Sequence, residues 1–320
     1  MGLCYHYLRL NKQSDPFPRI LGTNIDEFQN HLSMLQKNYH MISLKDALSI
    51  STGEDGFNKK NIGILITFDD GLSDHYTAAK ILSELNISAI FFIPTCILEE
   101  KLPANPTIIH YTIAVFGIEK FLKEFRESLV NNKLDSKLFD LQYSKSKDNL
   151  GETISRIKST FKYKLGYYDS RKILLDIYKN LFSSEYKNML STIHLTESQI
   201  REMLEMGHHV GTHTYSHISV AATELNSDDF IKEIISPKNY LEQKFNTKVN
   251  SFSYPFGGKN DCLSSSELIK KTSEYNLAFT VEEILNTRNT SPYQLGRYQI
   301  NSSDTSFKLN SIIQNISKKN

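Results

Sequence analysis

Two pairs of residues in this sequence have the types and spacing that chemistry needs. Asp69 and Asp70 stand side by side in Ile64-Leu65-Ile66-Thr67-Phe68-Asp69-Asp70-Gly71, where an apolar, β-branched run ends in two carboxylates and a glycine. His213 and His217 are four apart in His213-Thr214-Tyr215-Ser216-His217. An apolar run of this length bounded by a turn residue reads as a buried strand. In α/β folds the loop at a strand's carboxyl end is where active-site groups collect. Adjacent residues on an extended chain point opposite ways, so Asp69 and Asp70 are expected to do different work. One can hold a metal while the other faces a substrate or a water. Taken alone, the stretch reads equally well as a strand ending in an Asp-Gly turn.

The four-residue spacing of the histidines would set two imidazoles on one side of a helical turn, close enough to share a metal. One added carboxylate makes a His₂-Asp site with an open position for water. Such a site suits Zn²⁺, and Co²⁺ or Ni²⁺ also accept mixed nitrogen and oxygen ligands. A bound Zn²⁺ lowers the pKa of its water to ~7. The chain has ten histidines, so the spacing alone would more often belong to surface or core residues.

The elements that must position these residues read as an alternation of strands and helices. Leu3 to Leu8 forms a first strand carrying His6, followed by an amphipathic helix from Ile25 with Phe28, Leu32 and Leu35 on one face. A strand over 39–44, a short helix over 45–50, a glycine-rich and charged loop over 53–60 and the strand over 62–68 follow. Ser73 caps a helix to about Leu85, and 87–93 is a further buried strand closed by Pro94. This rhythm is that of an α/β fold on a parallel sheet. From 99 to 191 the periodicity turns helical, with a polar connector over 145–149. Thr196 and Gln199 then form a capping box for a helix that stops at Gly207. After the histidines come a helix from Ser227, a strand over 249–254, a helix from Ser264 and strands near 277–281 and 297–300. The segment from Asn310 is polar and expected to fray.

Composition narrows the function classes. With 37 basic and 36 acidic residues the charge is balanced, which gives no reason to expect nucleic acid or an anionic membrane as main partner. There is no Trp beside 17 Tyr and 18 Phe, so a sugar-binding surface would have to use Tyr. Cys4, Cys96 and Cys262 are odd in number and scattered, as expected of a reducing compartment without a disulfide framework. The amino terminus lacks a basic segment followed by a sustained apolar stretch, and no run is long enough to span a bilayer. The expectation is therefore a cytoplasmic protein without signal peptide or transmembrane segment.

Thr67-Phe68-Asp69-Asp70-Gly71 together with His213-Thr-Tyr-Ser-His217 resembles the first two motifs of the polysaccharide deacetylases (NodB homology, carbohydrate esterase family 4). Gly207-His208-His209-Val210-Gly211 is similar to that family's lead-in, and Tyr5-His6 resembles a first-strand Tyr-His pair of a subset. The resemblance covers about residues 1–98 and 196–305. It implies an α/β fold, a distorted (β/α) barrel of NodB type, over 1–98 and 196–310. A mostly helical insertion would occupy 99–195 and a polar tail 311–320.

The resemblance further implies that Asp69 is the general base toward a metal-activated water and that Asp70, His213 and His217 are the metal ligands, with Zn²⁺ expected and Co²⁺ or Ni²⁺ as alternatives. Two departures stand out. The third motif usually reads Arg-x-Pro-Tyr-Gly, but here the line is Ser253-Tyr254-Pro255-Phe256-Gly257. Ser253 cannot supply the charge that steadies the catalytic Asp, and Arg297, on a late strand, is the candidate to replace it. Its other reading is a solvated strand-edge Arg. Tyr254, Pro255, Phe256 and Gly257 are candidates for substrate contact and an oxyanion hole, or simply turn residues. The second departure is that no histidine follows His217, so the family's late acid is missing. His6 is the candidate in its place, with His208 and His209 weaker, and His40, His75, His110 and His194 are read as structural or solvent-facing.

The expected activity is hydrolysis of an N-acyl group, acetyl first, from an amino sugar in a glycan, glycolipid or nucleotide sugar. A formamide or cyclic-amide hydrolase on the same scaffold and a catalytically idle carbohydrate-binding domain are the alternatives. The insertion is expected to act as a lid or carrier-binding surface. The sequence gives no oligomeric state.

Overall fold

The computed structural model describes residues 1–9, 15–53, 62–135, 139, 141, 143 and 149–318. The expected loop over 54–60 and the connector over 145–148 lie outside them. Eight strands form the main sheet: β1 (Gly2–Tyr5), β2 (His40–Met41), β3 (Gly63–Phe68), β4 (Ala89–Ile93), β5 (His209–Thr212), β6 (Ser251–Ser253), β7 (Leu277–Phe279) and β8 (Arg297–Gln299). Their spatial order is β8-β1-β3-β4-β5-β6-β7, with β2 paired to β3, and every pairing is parallel. A bridge from Phe279, at the end of β7, to Leu295, just ahead of β8, joins the two edges of the sheet. The result is a nearly closed, distorted (β/α) barrel.

Strand β3 shows why the sequence takes this form. All six residues of Gly-Ile-Leu-Ile-Thr-Phe are buried, because a parallel strand inside a barrel is covered on both faces. Ile64, Ile66 and Phe68 join the main core with Leu3, Tyr5 and Phe91, while Leu65 packs with Ile90, Phe92, Leu277 and Phe279 on the other face.

Between β4 and β5 the chain is helical, including Asn105–Phe116, Ile118–Asn131, Leu150–Tyr163 and Tyr167–Phe182. These helices share their own apolar cluster around Phe121, Phe125, Ile157 and Tyr178, which meets the barrel at Tyr7 and Leu72. The segment returns where it matters for the site. The Ser73 amide donates to Ile193 O at 2.9 Å and the Leu195 amide to Gly71 O at 3.0 Å, next to the Asp69-Asp70 pair.

Several boundaries differ from the sequence reading. The segment from 311 is not a polar tail: helix Ser306–Lys318 buries Leu309, Ile313 and Ile316 against the core, an apolar face hidden among polar neighbours. Ser73 does not cap the following helix, since its hydroxyl donates to Thr192 O and the helix runs His75–Glu84. The helix expected from Ser264 begins at Lys259, whereas the one expected from Ser227 does begin there, capped by Asn226. The Thr196–Gln199 capping box is present. Among the described residues no helix is long and apolar enough to cross a membrane, and all three cysteines are unpaired and buried.

Candidate active site

The carboxyl ends of β1, β3, β5 and β6 deliver His6, Asp69-Asp70, His213 and Ser253 to one end of the barrel. Asp69 and Asp70 part company there, as their adjacency requires. Asp70 takes the left-handed conformation, with φ at 80°, and Gly71 follows with φ at 58°. The turn swings the Asp70 carboxylate away from its neighbour. Thr214, His217 and Phe256 also have positive φ, so strained non-glycine backbone gathers around one point, as it tends to at functional sites.

Asp69 faces Arg297. The two guanidinium nitrogens donate to its two oxygens at 2.8 Å each, a bidentate pair with both partners buried. Arg297 also donates to Thr67 Oγ1 at 3.0 Å, Ser253 Oγ at 2.8 Å and Thr280 O at 3.0 Å, so each of its N–H groups has an acceptor. Phe92 and Phe279 flank the guanidinium. Ser253 donates to Asp69 Oδ2 at 3.1 Å, and the Cys4 thiol donates to the same oxygen at 3.3 Å. Burial is the largest single influence and would raise the Asp69 pKa, but the Arg297 charge and hydrogen bonds, together with the nearby His213 and His6, outweigh it and hold the carboxyl well below the usual carboxylate range. Arg297 is thus an interior residue and not a solvated strand-edge one.

Asp70 faces the histidines. Its Oδ1 lies 3.0 Å from His217 Nε2 and 3.5 Å from His213 Nε2, yet it is a buried oxygen with no hydrogen-bond partner. One ligand atom from each residue lies within 4.8 Å of the others, so the three converge without bonding among themselves. Ser253 O accepts from His213 Nδ1 at 2.8 Å. A carbonyl can only accept, so Nδ1 carries the proton and Nε2 of the neutral ring keeps its lone pair. This donor set, a buried carboxylate oxygen without a hydrogen-bond partner and two imidazoles converging on it in the interior, fits a divalent metal.

The histidines do not share a helical turn. Residues 213–217 form a loop. Thr214 Oγ1 accepts from the His217 and Ile218 amides at 3.0 and 3.3 Å, and the left-handed residues fold the loop back on itself. Glu233 holds the loop from outside. It accepts from the Tyr215 and Ser216 amides at 3.0 Å each and from Ser216 Oγ at 2.7 Å, and it is fully buried. Glu233 sits in a π-helical stretch, Ile231–Ile235, just before Pro237. A proline has no N–H for the carbonyl four residues back, which here belongs to Glu233, so the helix widens at that turn. Tyr167, on the helical segment, also donates to Glu233, at 2.7 Å.

The remaining sequence candidates fall as follows. Tyr254 has both polar groups committed elsewhere, its amide to Phe279 O and its hydroxyl to Tyr293 O, so it leaves the oxyanion set. Phe256 packs edge-on against His217 with centroids 4.8 Å apart, and Pro255 and Gly257 form the turn around it. His6 is half-buried with Nδ1 3.8 Å from Cys4 Sγ, on the Asp69 side of the site. His208 is structural: Nδ1 accepts from the Ala89 amide and Nε2 donates to Ala79 O. His75 and His194 are likewise buried between backbone groups.

Two residues of the helical segment are additions. His110 accepts or donates at Nδ1 with the Tyr7 hydroxyl at 2.8 Å, while its Nε2 is buried without a partner. Burial lowers its pKa to about 3, and the charges that reach it are Lys158, Asp70, His217 and His6. Lys158 lines, with His217 and Phe256, a cavity of about 480 Å³ between the helical segment and the barrel mouth. No spacing in the sequence announces either residue, because both arrive on helices whose docking is purely tertiary.

A family model described as polysaccharide deacetylase matches residues 181–274, a stretch that contains His213, His217, Glu233 and Ser253. No sequence among the curated proteins matches this chain. Among solved structures the chain is similar to the Streptococcus pyogenes deacetylase PplD in complex with acetate (TM-score 0.60, 17% identity, 97% of this chain and 96% of that one). It is also similar to IcaB from Ammonifex degensii (0.56, 17%, 98% and 96%) and to a de-N-acetylase from Aggregatibacter actinomycetemcomitans (0.55, 13%, 97% and 98%). At these identities the likeness is one of fold, and it extends through the helical segment as well as the barrel. The family match over residues 181–274, the Asp-Asp and His-x-x-x-His motifs and the barrel that joins them make this chain similar to the polysaccharide deacetylases in fold and in the residues at the barrel mouth.

Proposed function

We propose that this protein is a metal-dependent hydrolase that removes an N-acetyl group from an amino sugar of a glycan, glycolipid or nucleotide sugar. The observation that carries the reading is the division of labour within one dipeptide. Asp69 is locked onto Arg297, and Asp70, with one buried oxygen lacking a hydrogen-bond partner, converges with His213 and His217. A divalent ion on Asp70, His213 and His217, Zn²⁺ in the first instance, would supply a Lewis acid for the amide carbonyl and lower the pKa of a water.

The chain's own residues do the rest. Asp69 accepts the proton of the attacking water through Oδ1, whose partner among the described residues is Arg297. Arg297 fixes the plane of that carboxylate and keeps it ionised. Ser253 fills the place of the family's arginine with a side chain small enough to let Arg297 reach Asp69 through the barrel interior. Phe256 and the Pro255–Gly257 turn form the wall beside His217 against which the acyl group rests.

The test is acetate release from N-acetylated amino-sugar oligomers by the Zn²⁺-loaded protein. Asp69→Asn should lower kcat by about 10²- to 10⁴-fold while the variant still binds metal. Formate release from formamides in place of acetate would move the substrate class, and metal binding without any turnover would reduce the protein to a carbohydrate-binding domain.

A further inference from the structure

We propose that Lys158, from the helical segment, is the proton donor to the leaving nitrogen, the role for which this sequence has no late histidine. The inference rests on the deacetylase reading above. Three observations carry it. Lys158 lies on helix Leu150–Tyr163 and shares with His217 and Phe256 the cavity that opens onto the metal-ligand loop. Its ammonium makes no ion pair with a carboxylate among the described residues, whereas its neighbour Lys162 is paired with Asp261 at 2.6 Å and lies over the Phe256 ring. Burial lowers the Lys158 pKa and the Asp70 carboxylate opposes that shift, so the ammonium is within electrostatic reach of the cluster at the end of the cavity.

The other candidates are less well placed. His6 stands beside Cys4, whose thiol is bonded to Asp69, and so belongs to the side of the site where the water's proton is taken. His110 is held neutral by burial and has no spare proton to give at neutral pH. Lys158 is half-buried, and loss of solvent lowers its pKa from the ordinary lysine value, which makes the ammonium a readier donor.

Water gives hydroxide to the acyl carbon and a proton to Asp69. The C–N bond then breaks with its electron pair on nitrogen, and that nitrogen takes a proton from Lys158 Nζ. Lys158 is left as a neutral amine, and it regains a proton from the water of the cleft as Asp69 loses one to it. Acetate and the free amino sugar leave.

The experiment compares an amide with an activated ester. An amine leaves only when protonated, but 4-nitrophenolate leaves without help. In the Zn²⁺-loaded protein, Lys158→Met and Lys158→Arg should each lose about 10²-fold or more in kcat on an N-acetylated amino-sugar oligomer while turning over 4-nitrophenyl acetate like the wild type. Arg keeps the charge but gives up no proton, so an active Lys158→Arg would overturn the proposal in favour of a binding role. Equal loss on both substrates, or the selective amide loss appearing in His6→Gln instead, would also overturn it. Zinc stoichiometry and thermal melting of each variant, expected unchanged, separate a lost proton donor from a damaged site. A wild type that binds zinc yet hydrolyses neither substrate would overturn the deacetylase reading itself.

Discussion

Arg297 and Asp69, 228 positions apart in the chain, meet in a bidentate ion pair inside the barrel with neither side chain reaching solvent. The pair spans β1, which lies between β8, carrying the cation, and β3, at whose carboxyl end the carboxylate stands. Removing the cation leaves a buried, uncompensated carboxylate. Arg297→Met is therefore expected to lose about 3–5 kcal/mol of stability, measured by urea unfolding. Arg297→Lys keeps a charge but lacks the planar fork, and it should fall between the two. A methionine variant as stable as the wild type would contradict the role assigned to the pair.

Gly2 makes room for that arginine. A Cβ at this position would lie 2.6 Å from Arg297 Cγ, closer than real contacts allow. Gly2→Ala should destabilise the fold by about 1–3 kcal/mol through overpacking and lower kcat with it, since the guanidinium must shift off Asp69. Unchanged kcat would show that the arginine can move without consequence.

Glu233 supports the loop that carries His213 and His217 through Tyr215 and Ser216. Glu233→Ala strips the acceptor from two buried amides, at about 1–3 kcal/mol for each group left unpaired. The expected outcome is a weaker zinc affinity together with a lower melting temperature. Glu233→Gln, which keeps an acceptor oxygen, should recover part of both. Zinc affinity equal to wild type in the alanine variant would sever Glu233 from the site.

Buried histidines set the acid limit of stability. His75 accepts from the Leu72 amide at Nδ1 and donates to His6 O at Nε2, and burial lowers its pKa to about 4 from 6.5. His208 is held in the same way and shifted in the same direction. In each case the unfolded chain binds a proton that the native state refuses. Stability is therefore full above about pH 7 and falls as pH drops from 6.5 toward 4, by about 3 kcal/mol for His75 alone. Denaturant midpoints across this range should show the slope, and His75→Gln should flatten it. A midpoint constant from pH 7 to pH 4 would mean that neither ring is buried neutral.

How much of this was legible in the sequence depends on the range of the interaction. The barrel strands were readable because a doubly covered parallel strand such as Ile64–Phe68 must be apolar throughout. The opposite directions of Asp69 and Asp70 followed from the pleat, whereas Arg297 was a candidate only through its resemblance to an arginine near the end of some relatives of the deacetylase family, and its pairing with Asp69 is tertiary. The spacing of His213 and His217 pointed to a shared ligand, but the helical turn inferred from it was wrong. A tight loop with left-handed residues, pinned by Thr214 and Glu233, brings the imidazoles together instead. Tyr254 was misplaced because a turn's hydrogen bonds are set by the strand beside it. Glu233, His110 and Lys158 left no local mark, apart from Pro237 standing four residues after Glu233. Their work depends on how the helical segment docks, which pairwise spacing does not encode.

The account stands or falls on the His₂-Asp site, and metal content of the purified protein tests it most directly. The wild type, incubated with Zn²⁺ and freed of excess, is expected to hold a single divalent ion per chain, lost in His213→Ala and in Asp70→Asn but kept in Asp69→Asn. No bound ion in the wild type with Zn²⁺, Co²⁺ or Ni²⁺, or equal binding by all four proteins, would contradict it.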